Sequence, residues 1–458
     1  MNLDQLLPAG EHDVFHKASL SFSDRCVRKQ IRRSDSELPF AVIEVPWYEW
    51  GRFLVDSTIR PASFLEYATA DYYIQDAASL LPLALVDPKA DDMVCDLCAS
   101  PGGKASAIAE RLGPNGFLLA NESIRSRVDV LKYSLAKTGN PCFAVSSYDP
   151  DELASLMPST FDVVLVDAPC SGQTLVARKK RDDNAFSANQ IEHCTLRQQR
   201  ILESAIRMLK VGGRLVYSTC TFAIEENEAQ IQWLLDHYPN VWEPIEPSGL
   251  APWRSPIQLG CYRLWPHRDH CSGGFAAGLR LIKELDLEPI ATSERVSKKR
   301  DSKGKATERS ELLKQKSAQE SLESLGTLSQ VSTEWRNGYL QCMTAGVRNA
   351  ASNYPQVAME PMSVLIELGN HFVPTQGLAL LDAGIFVPNR IVELERQQAV
   401  QFANGASIPL LTIEGQSSSK VASAWAVANW NGLSLGWCKA LSNRLNNHLP
   451  PWARLNLG

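Results

Sequence analysis

No stretch of this 458-residue chain approaches the ~18 consecutive apolar residues that span a bilayer, so no membrane-crossing helix is expected. The opening Met1–Glu11 has no basic region leading into an apolar stretch, which argues against a secretory leader. The eleven cysteines are odd in number and scattered along a long chain. That suits free thiols in a reducing compartment, and a cytoplasmic location is the expectation. Net positive charge is missing too. At −5 the chain carries no global argument for a polyanionic partner, so any nucleic-acid contact must come from local patches. Two such patches are present, Arg25 through Arg33 and Arg178-Lys179-Lys180-Arg181. Paired metal-ligand motifs are also lacking. Cys95 and Cys98 share a predicted strand with no second pair, and His267, His270 and Cys271 precede a glycine turn without partners, so no metal is expected. There is no internal repeat.

What is present is an ordinary globular composition, 44% apolar and 21% charged, at a length that suggests about three domains. Four regions emerge. Residues 1–75 are mixed and aromatic-rich. Residues 76–285 alternate short apolar runs with amphipathic stretches. Strands are predicted at Met93–Cys98, Phe117–Asn121, Cys142–Val145, Asp162–Asp167, Arg214–Thr219 and Gly274–Ile282. Helices are predicted at Lys104–Arg111, Ile124–Thr138, Ile191–Leu209 and Glu225–His237. That alternation predicts an α/β fold, a parallel sheet with helices on both faces. Residues 286–334, with the polar run Ser297–Lys305, read as a charged linker holding one short helix near Leu312–Leu325. Residues 335–458 regain aromatics and glycine turns and read as a small α+β domain.

Within the second region, Ala99-Ser100-Pro101-Gly102-Gly103-Lys104 breaks a strand into a helix. Glycines there let backbone N–H groups approach a ligand. About 20 residues on, Glu122 closes the next strand, the position from which an acid accepts from a ribose diol. Asp149 follows a third strand and could accept from an adenine amino group, and Asp167 completes the crevice mouth. A phosphate-binding loop would need glycine where Cys98 stands and Ser or Thr where Ala105 stands, and a Gly-x-Gly-x-x-Gly fingerprint is absent. The remaining candidate is a nucleoside without phosphates, S-adenosylmethionine above all, against a plain structural turn.

Two further motifs carry thiols at strand ends: Asp167-Ala168-Pro169-Cys170-Ser171-Gly172 and Tyr217-Ser218-Thr219-Cys220-Thr221. A cytosine ring is a poor nucleophile at carbon 5. A thiolate added to carbon 6 makes an enamine whose carbon 5 attacks an electrophilic methyl group. An ordinary thiol, with a pKa of ~8.5, is mostly protonated at neutral pH, so the site must lower it. Lys104 would favour the thiolate if it points inward, and Asp167 could hold the base edge, in protonated form only if its surroundings favour the acid. Free cysteines usually just pack, and Cys95, Cys98, Cys142 and Cys194 read that way. Spacing alone leaves Cys170 and Cys220 open between the two readings.

These motifs together resemble the Nop/Sun family of RNA cytosine-5 methyltransferases. Tyr73-Ile74-Gln75 before the fold, Glu225-Glu226-Asn227-Glu228 after the second thiol, and Pro266-His267 before Gly273-Gly274-Phe275 match as well. The likeness covers roughly residues 40–285. It implies a Rossmann-like core, an N-terminal RNA-binding segment at 1–75, and a methyltransferase domain at 76–285. It also implies that Cys220 is the nucleophile, that Cys170 assists product release, and that Asp167 and Lys104 orient the base. S-adenosylmethionine would be held by Cys98 through Lys104 with Glu122, Asp149 and Asp167. The length and the close Gly436-Trp437-Cys438-Lys439 and Arg444–Pro450 resemble a PUA-like RNA-binding domain at 335–458, which implies the small-subunit rRNA branch. tRNA is the alternative substrate, and a non-catalytic RNA-binding factor the alternative role. The chain is expected to act as a monomer. It departs from the family's pattern after Gly172, where Gln173-Thr174 replace a second glycine and its neighbour.

Overall fold

The computed structural model describes residues 3–20, 25–286, 305–409 and 424–457. Most of the polar run Ser297–Lys305 lies outside the described residues. Among the described residues, no helix is long and apolar enough to cross a membrane.

The centre is a parallel sheet built from the apolar runs read in the sequence. Its strands are β1 (Met93–Asp96), β2 (Phe117–Asn121), β3 (Phe143–Ser146), β4 (Phe161–Asp167) and β5 (Leu209–Thr219). Val94, Leu118, Leu119, Val163, Val164, Leu165 and Val166 have no exposed surface, because helices cover both faces and neither face can be polar. β6 (Trp242–Pro244) and β7 (Gly274–Leu281) complete the order β3-β2-β1-β4-β5-β7-β6, with β7 antiparallel to β5. The connections are helical: α1 (Gly103–Ala109), α2 (Val128–Ala136), α3 (Pro150–Leu156), α4 (Ala188–Met208) and α5 (Glu228–His237). Strand order reverses between β1 and β4, and ligands of such sheets sit outside the carboxyl ends at that point. Asp96 and Asp167 end those two strands. The doubly wound α/β core expected from the sequence is present.

Ahead of it, Val42–Glu44, Gly51–Leu54, Cys26–Lys29 and Tyr72–Ile74 form a separate antiparallel sheet. The basic run Arg25–Arg33, a candidate RNA patch in the sequence, is partly internal. Arg28 is 1% exposed, and its guanidinium donates to Glu110 Oε1 at 2.7 Å and Ser106 Oγ at 2.8 Å, both on or beside α1. Arg32 donates to Asp382 Oδ1 at 2.7 Å and to the Lys137 carbonyl at 2.6 Å.

From Lys305 onward the expected linker is built structure. The helix sought near Leu312–Leu325 runs Lys305–Leu325 as α6, burying Ala318, Leu322 and Leu325. β8 (Ser332–Arg336), β9 (Tyr339–Met343), β10 (Glu360–Leu368) and β11 (His371–Pro374) then form an antiparallel sheet. β10 pairs with β3 through Glu360 and Pro361, so this sheet extends the central one. The last unit is a five-stranded sheet of Ile391–Glu393, Ala424–Trp430, Leu433–Ala440, Arg444–Asn447 and Ile408–Pro409 around its own apolar core.

Candidate active site

The carboxyl ends of β1, β2 and β4 open into a cavity of about 540 Å³, within the size range of small-molecule sites. Cys98, Ser100, Glu122, Asp149 and Asp167 all line it, together with Cys170 and Cys220. Ala99, Pro101, Gly102, Gly103 and Lys104 do not; the first four set the shape of its floor, and Lys104 lines the neighbouring pocket. Ala99 N–H donates to the Asn121 carbonyl at 2.9 Å, and the Pro101 carbonyl accepts from Ser134 Oγ at 2.6 Å. Gly102 sits at φ +107°, and a Cβ there would lie 2.6 Å from the Ser134 side chain, so the turn and the packing against α2 both require glycine. Glu122 accepts from Ile124 N–H at 2.9 Å and pairs with Arg127 at 3.2 Å. Asp149 is occupied twice. It caps α3 through Asp151 N–H at 3.1 Å and pairs with both Arg200 amino groups at 3.1 Å.

Asp96, which the sequence reading left without a role, ends β1 beneath the cavity. It is fully buried, and neither carboxylate oxygen has a hydrogen bond of normal geometry. Burial and then the neighbouring Asp167 charge push its carboxyl up to about 7, against the opposing pull of Lys104 and the Cys98 amide.

A second, smaller pocket of about 150 Å³ adjoins the first. Asp76, Ser79, Lys104, Arg178, Ser218, Ser272 and Phe275 line it, and Asp167 and Cys220 belong to both spaces. At the shared wall Lys104 Nζ lies 2.7 Å from Asp167 Oδ2, while Ser218 Oγ donates to Oδ1 at 2.7 Å. Both carboxylate oxygens thus act as acceptors. Burial opposes charge on Lys104, but Asp167 outweighs it and holds the ammonium above its ordinary range.

The Cys170 and Cys220 sulfurs are 3.0 Å apart, and Cys220 N–H points to the Cys170 sulfur at 3.3 Å. The two thiols differ in preference. The thiol–thiol hydrogen bond with Cys170 lowers the Cys220 pKa, and Lys104 lowers it further against burial and Asp167. The same bond, with burial, raises Cys170. The pair therefore favours a thiolate on Cys220 and a proton on Cys170. The packing cysteines behave differently. Cys95 and Cys142 are fully buried and burial raises both, while Cys98 is also raised but lines the cavity.

The sequence reading named Glu225–Glu228 as a motif without assigning work to Glu226. Its buried carboxylate accepts from Ser171 N–H at 2.9 Å, Ser171 Oγ at 2.5 Å and Gln198 Nε2 at 2.9 Å. Gln173, in the departing loop, is 1% exposed and accepts from Phe222 N–H at 3.0 Å. Asp76 pairs with Arg178 at the mouth of the small pocket. Of these only Arg178 had a local signal, its basic run. The others depend on contacts between distant segments.

A doubly wound sheet with a nucleoside-sized cavity at its switch point and a reactive centre beside it defines a Rossmann-like methyltransferase. The comparisons with known proteins agree. A family model described as 16S rRNA methyltransferase RsmB/F matches residues 83–280, and one described as the methyltransferase RsmF PUA domain matches 389–455. The chain is 29% identical to ribosomal RNA small subunit methyltransferase F of Klebsiella pneumoniae, over 94% of this chain and 93% of that one. It is 33% identical to the enzyme of the same name from Shigella dysenteriae, over 54% of this chain and 53% of that one. A solved methyltransferase homologue from Pyrococcus horikoshii superposes with a TM-score of 0.52 at 29% identity, covering 60% of this chain and 92% of that one. NSun6 from the same organism, solved with SFG, shares the fold with a TM-score of 0.53 at 18% identity, covering 61% and 96%. Over residues 83–280 the chain is similar to the 16S rRNA methyltransferase RsmB/F family, and over 389–455 to the RsmF PUA domain.

Proposed function

We propose that this chain methylates carbon 5 of a cytosine in small-subunit rRNA, using S-adenosylmethionine and a covalent Cys220–cytosine intermediate. The observation that carries this reading is a pair of sulfurs 3.0 Å apart where a cofactor-sized and a base-sized space meet. The residues of the larger cavity fit the cofactor: Glu122 at the end of β2 for a ribose diol, and Asp149 for the adenine edge once Arg200 yields. S-adenosylmethionine, when bound, supplies the electrophilic methyl group.

The chain's own groups perform the remaining work. The Cys220 thiolate adds to carbon 6 of the cytosine, and Lys104 donates a hydrogen bond that offsets charge building on the ring. Asp167 accepts from the exocyclic amino group. Carbon 5 is thereby enamine-like and takes the methyl group. Its proton then passes to solvent water, the electron pair re-forms the carbon 5–carbon 6 double bond, and the carbon 6–sulfur bond breaks to return the Cys220 thiolate, with Cys170 placed beside the departing sulfur. The base must leave its stack to reach Cys220, and the 150 Å³ pocket is the space available to it.

The test is covalent trapping. Cys170→Ala, incubated with extracted rRNA and S-adenosylmethionine, should accumulate a protein–RNA adduct on a denaturing gel. Cys170→Ala/Cys220→Ala should form none. An adduct that accumulates in Cys220→Ala instead would reverse the two roles. Absence of any adduct together with absence of methylation by the wild type would sink the reading.

A further inference from the structure

A second cavity lies on the far side of α2 from the cofactor site. It measures about 470 Å³ and opens between α2, the β9–β10 sheet and the last segment of the chain. Asp129, Lys132, Tyr133 and Ala136, spaced as one helical face, form one wall. Trp452 closes another, its ring centroid 4.3 Å from that of Tyr133 although the residue is 54% exposed. Tyr339 adds a third aromatic ring at 38% exposure.

The polar groups among these rings are amides. Gln341 lines the cavity and is 6% exposed. Gln376 is 8% exposed; its Nε2 donates to the Leu435 carbonyl at 2.8 Å, while its buried Oε1 has no partner. That oxygen has essentially no accessible surface, so Gln376 shapes the wall and Gln341 is the amide left to meet a ligand. Of the charged residues lining the cavity, Lys132 and Glu360 pair with each other, and Asp129 adds a carboxylate that disfavours an anionic ligand. Flat aromatic faces with amide donors and acceptors, and with the local cation already neutralised, suit an uncharged planar heterocycle better than a phosphate.

We propose that this cavity holds an unpaired base of the substrate RNA, a second contact separate from the cytosine that is methylated. The inference rests on the RNA methyltransferase reading above. α2 gives the site a route to the chemistry. Its opposite face carries Ser134, which holds the Pro101 carbonyl at 2.6 Å, and Leu131, and both pack against Gly102 of the cofactor loop.

The experiment uses the full chain bound to extracted small-subunit rRNA, ultraviolet cross-linking, and identification of the linked peptides. Cross-links are expected in the peptides holding Tyr133, Tyr339 or Trp452. Trp452→Ala and, independently, Tyr339→Ala should raise KM for RNA about tenfold and leave kcat at saturating RNA unchanged. Trp452→Phe should restore most of the loss. Both residues are partly exposed, so the variants are expected to fold. If RNA still forms the Cys220 adduct while these peptides stay unlinked and both variants keep the wild-type KM, the second base site is overturned and the methyltransferase reading stands. If neither adduct nor cross-link forms with any RNA, both fall. Cross-links at these rings without any adduct would keep the base site and remove the proposed chemistry.

Discussion

Glu226 and Ser171 are joined by two hydrogen bonds, from the Ser171 amide at 2.9 Å and its hydroxyl at 2.5 Å to the two oxygens of one buried carboxylate. Ser171 follows Cys170 directly. On the other side, Tyr217, three residues before Cys220, donates its hydroxyl to the Glu226 carbonyl at 2.7 Å. The Ser171 hydroxyl also lies 3.0 Å from that of Thr221. One residue thus sets the spacing of two thiols carried on separate strands. Glu226→Gln should weaken that hold while leaving the cofactor cavity untouched. Loss of geometry of this kind costs on the order of 10²-fold in rate. The expected result is a large fall in kcat with S-adenosylmethionine affinity, measured by calorimetry, unchanged. Equal losses of both would mean that Glu226 supports the whole sheet end rather than the thiols.

The thiol pair also predicts a pH response. Cys220 is lowered first by the Cys170 hydrogen bond and next by Lys104. Either Cys170→Ala or Lys104→Gln removes a contribution that favours the thiolate. In both variants the rate of adduct formation should therefore reach its plateau at higher pH than in the wild type. Single-turnover trapping across a pH series measures this. The Cys170 variant should form its adduct more slowly at neutral pH, yet retain it longer. A profile unmoved in both variants would show that neither group activates Cys220.

The methyltransferase core was legible in the sequence because its strands are buried on both faces. Such strands read as unbroken apolar runs, and the predicted β2 at Phe117–Asn121 agrees with the observed strand to the residue. The two thiol motifs were legible for a related reason, since each follows such a run. α3 was missed although its signal is present: Asp149 caps it and Pro150 starts it, the usual grammar of a helix start. An aspartate after a strand suits a ligand group and a helix cap equally, and Asp149 serves as the cap. The helix expected near Leu312–Leu325 is present as the later part of α6, and it buries Ala318, Leu322 and Leu325 along one face. The pairing of β10 with β3 could not be read, because it joins segments more than 200 residues apart with no local mark on either. The same holds for Asp96. Its burial without partners is a property of the assembled sheet.

Asp96 makes the stability of the fold depend on pH. Its carboxyl is raised to about 7 in the folded chain, mainly by burial, against an ordinary value of 3.8. Between those values the folded state holds a proton that the unfolded chain has released. Folding stability from this group is therefore fully present below about pH 4, declines as pH rises, and is lost above about 7. The span corresponds to at most about 4 kcal/mol, and relaxation around the buried group reduces it. Asp96→Asn removes the titration. Urea unfolding should show the variant gaining on the wild type from pH 5 to pH 8. A difference that stays constant over that range would mean Asp96 is ionised throughout.

Arg28 offers the sharpest test of how the N-terminal sheet is held. Its guanidinium and the Glu110 carboxylate are 1% and 2% exposed, and the second Glu110 oxygen accepts from Ile31 N–H at 3.1 Å. Glu110 closes α1, the helix that begins at the cofactor loop, so this pair couples the sheet of residues 26–74 to the floor of the active site. Burial opposes charge on Arg28, but Glu110 more than offsets it and the guanidinium is held above its ordinary range. Removing one partner of such a pair strands the other charge and typically costs about 3–5 kcal/mol. Arg28→Met should therefore lower the unfolding midpoint severely. The double variant Arg28→Met/Glu110→Gln should recover much of the loss, because no buried charge is then left alone. Recovery separates the cost of an orphaned charge from the worth of the bond itself. A double variant as unstable as Arg28→Met would show that the Ile31 amide, the Ser106 hydroxyl and the packing of Arg28 beside Tyr73 hold the sheet in place, and that the ion pair adds little.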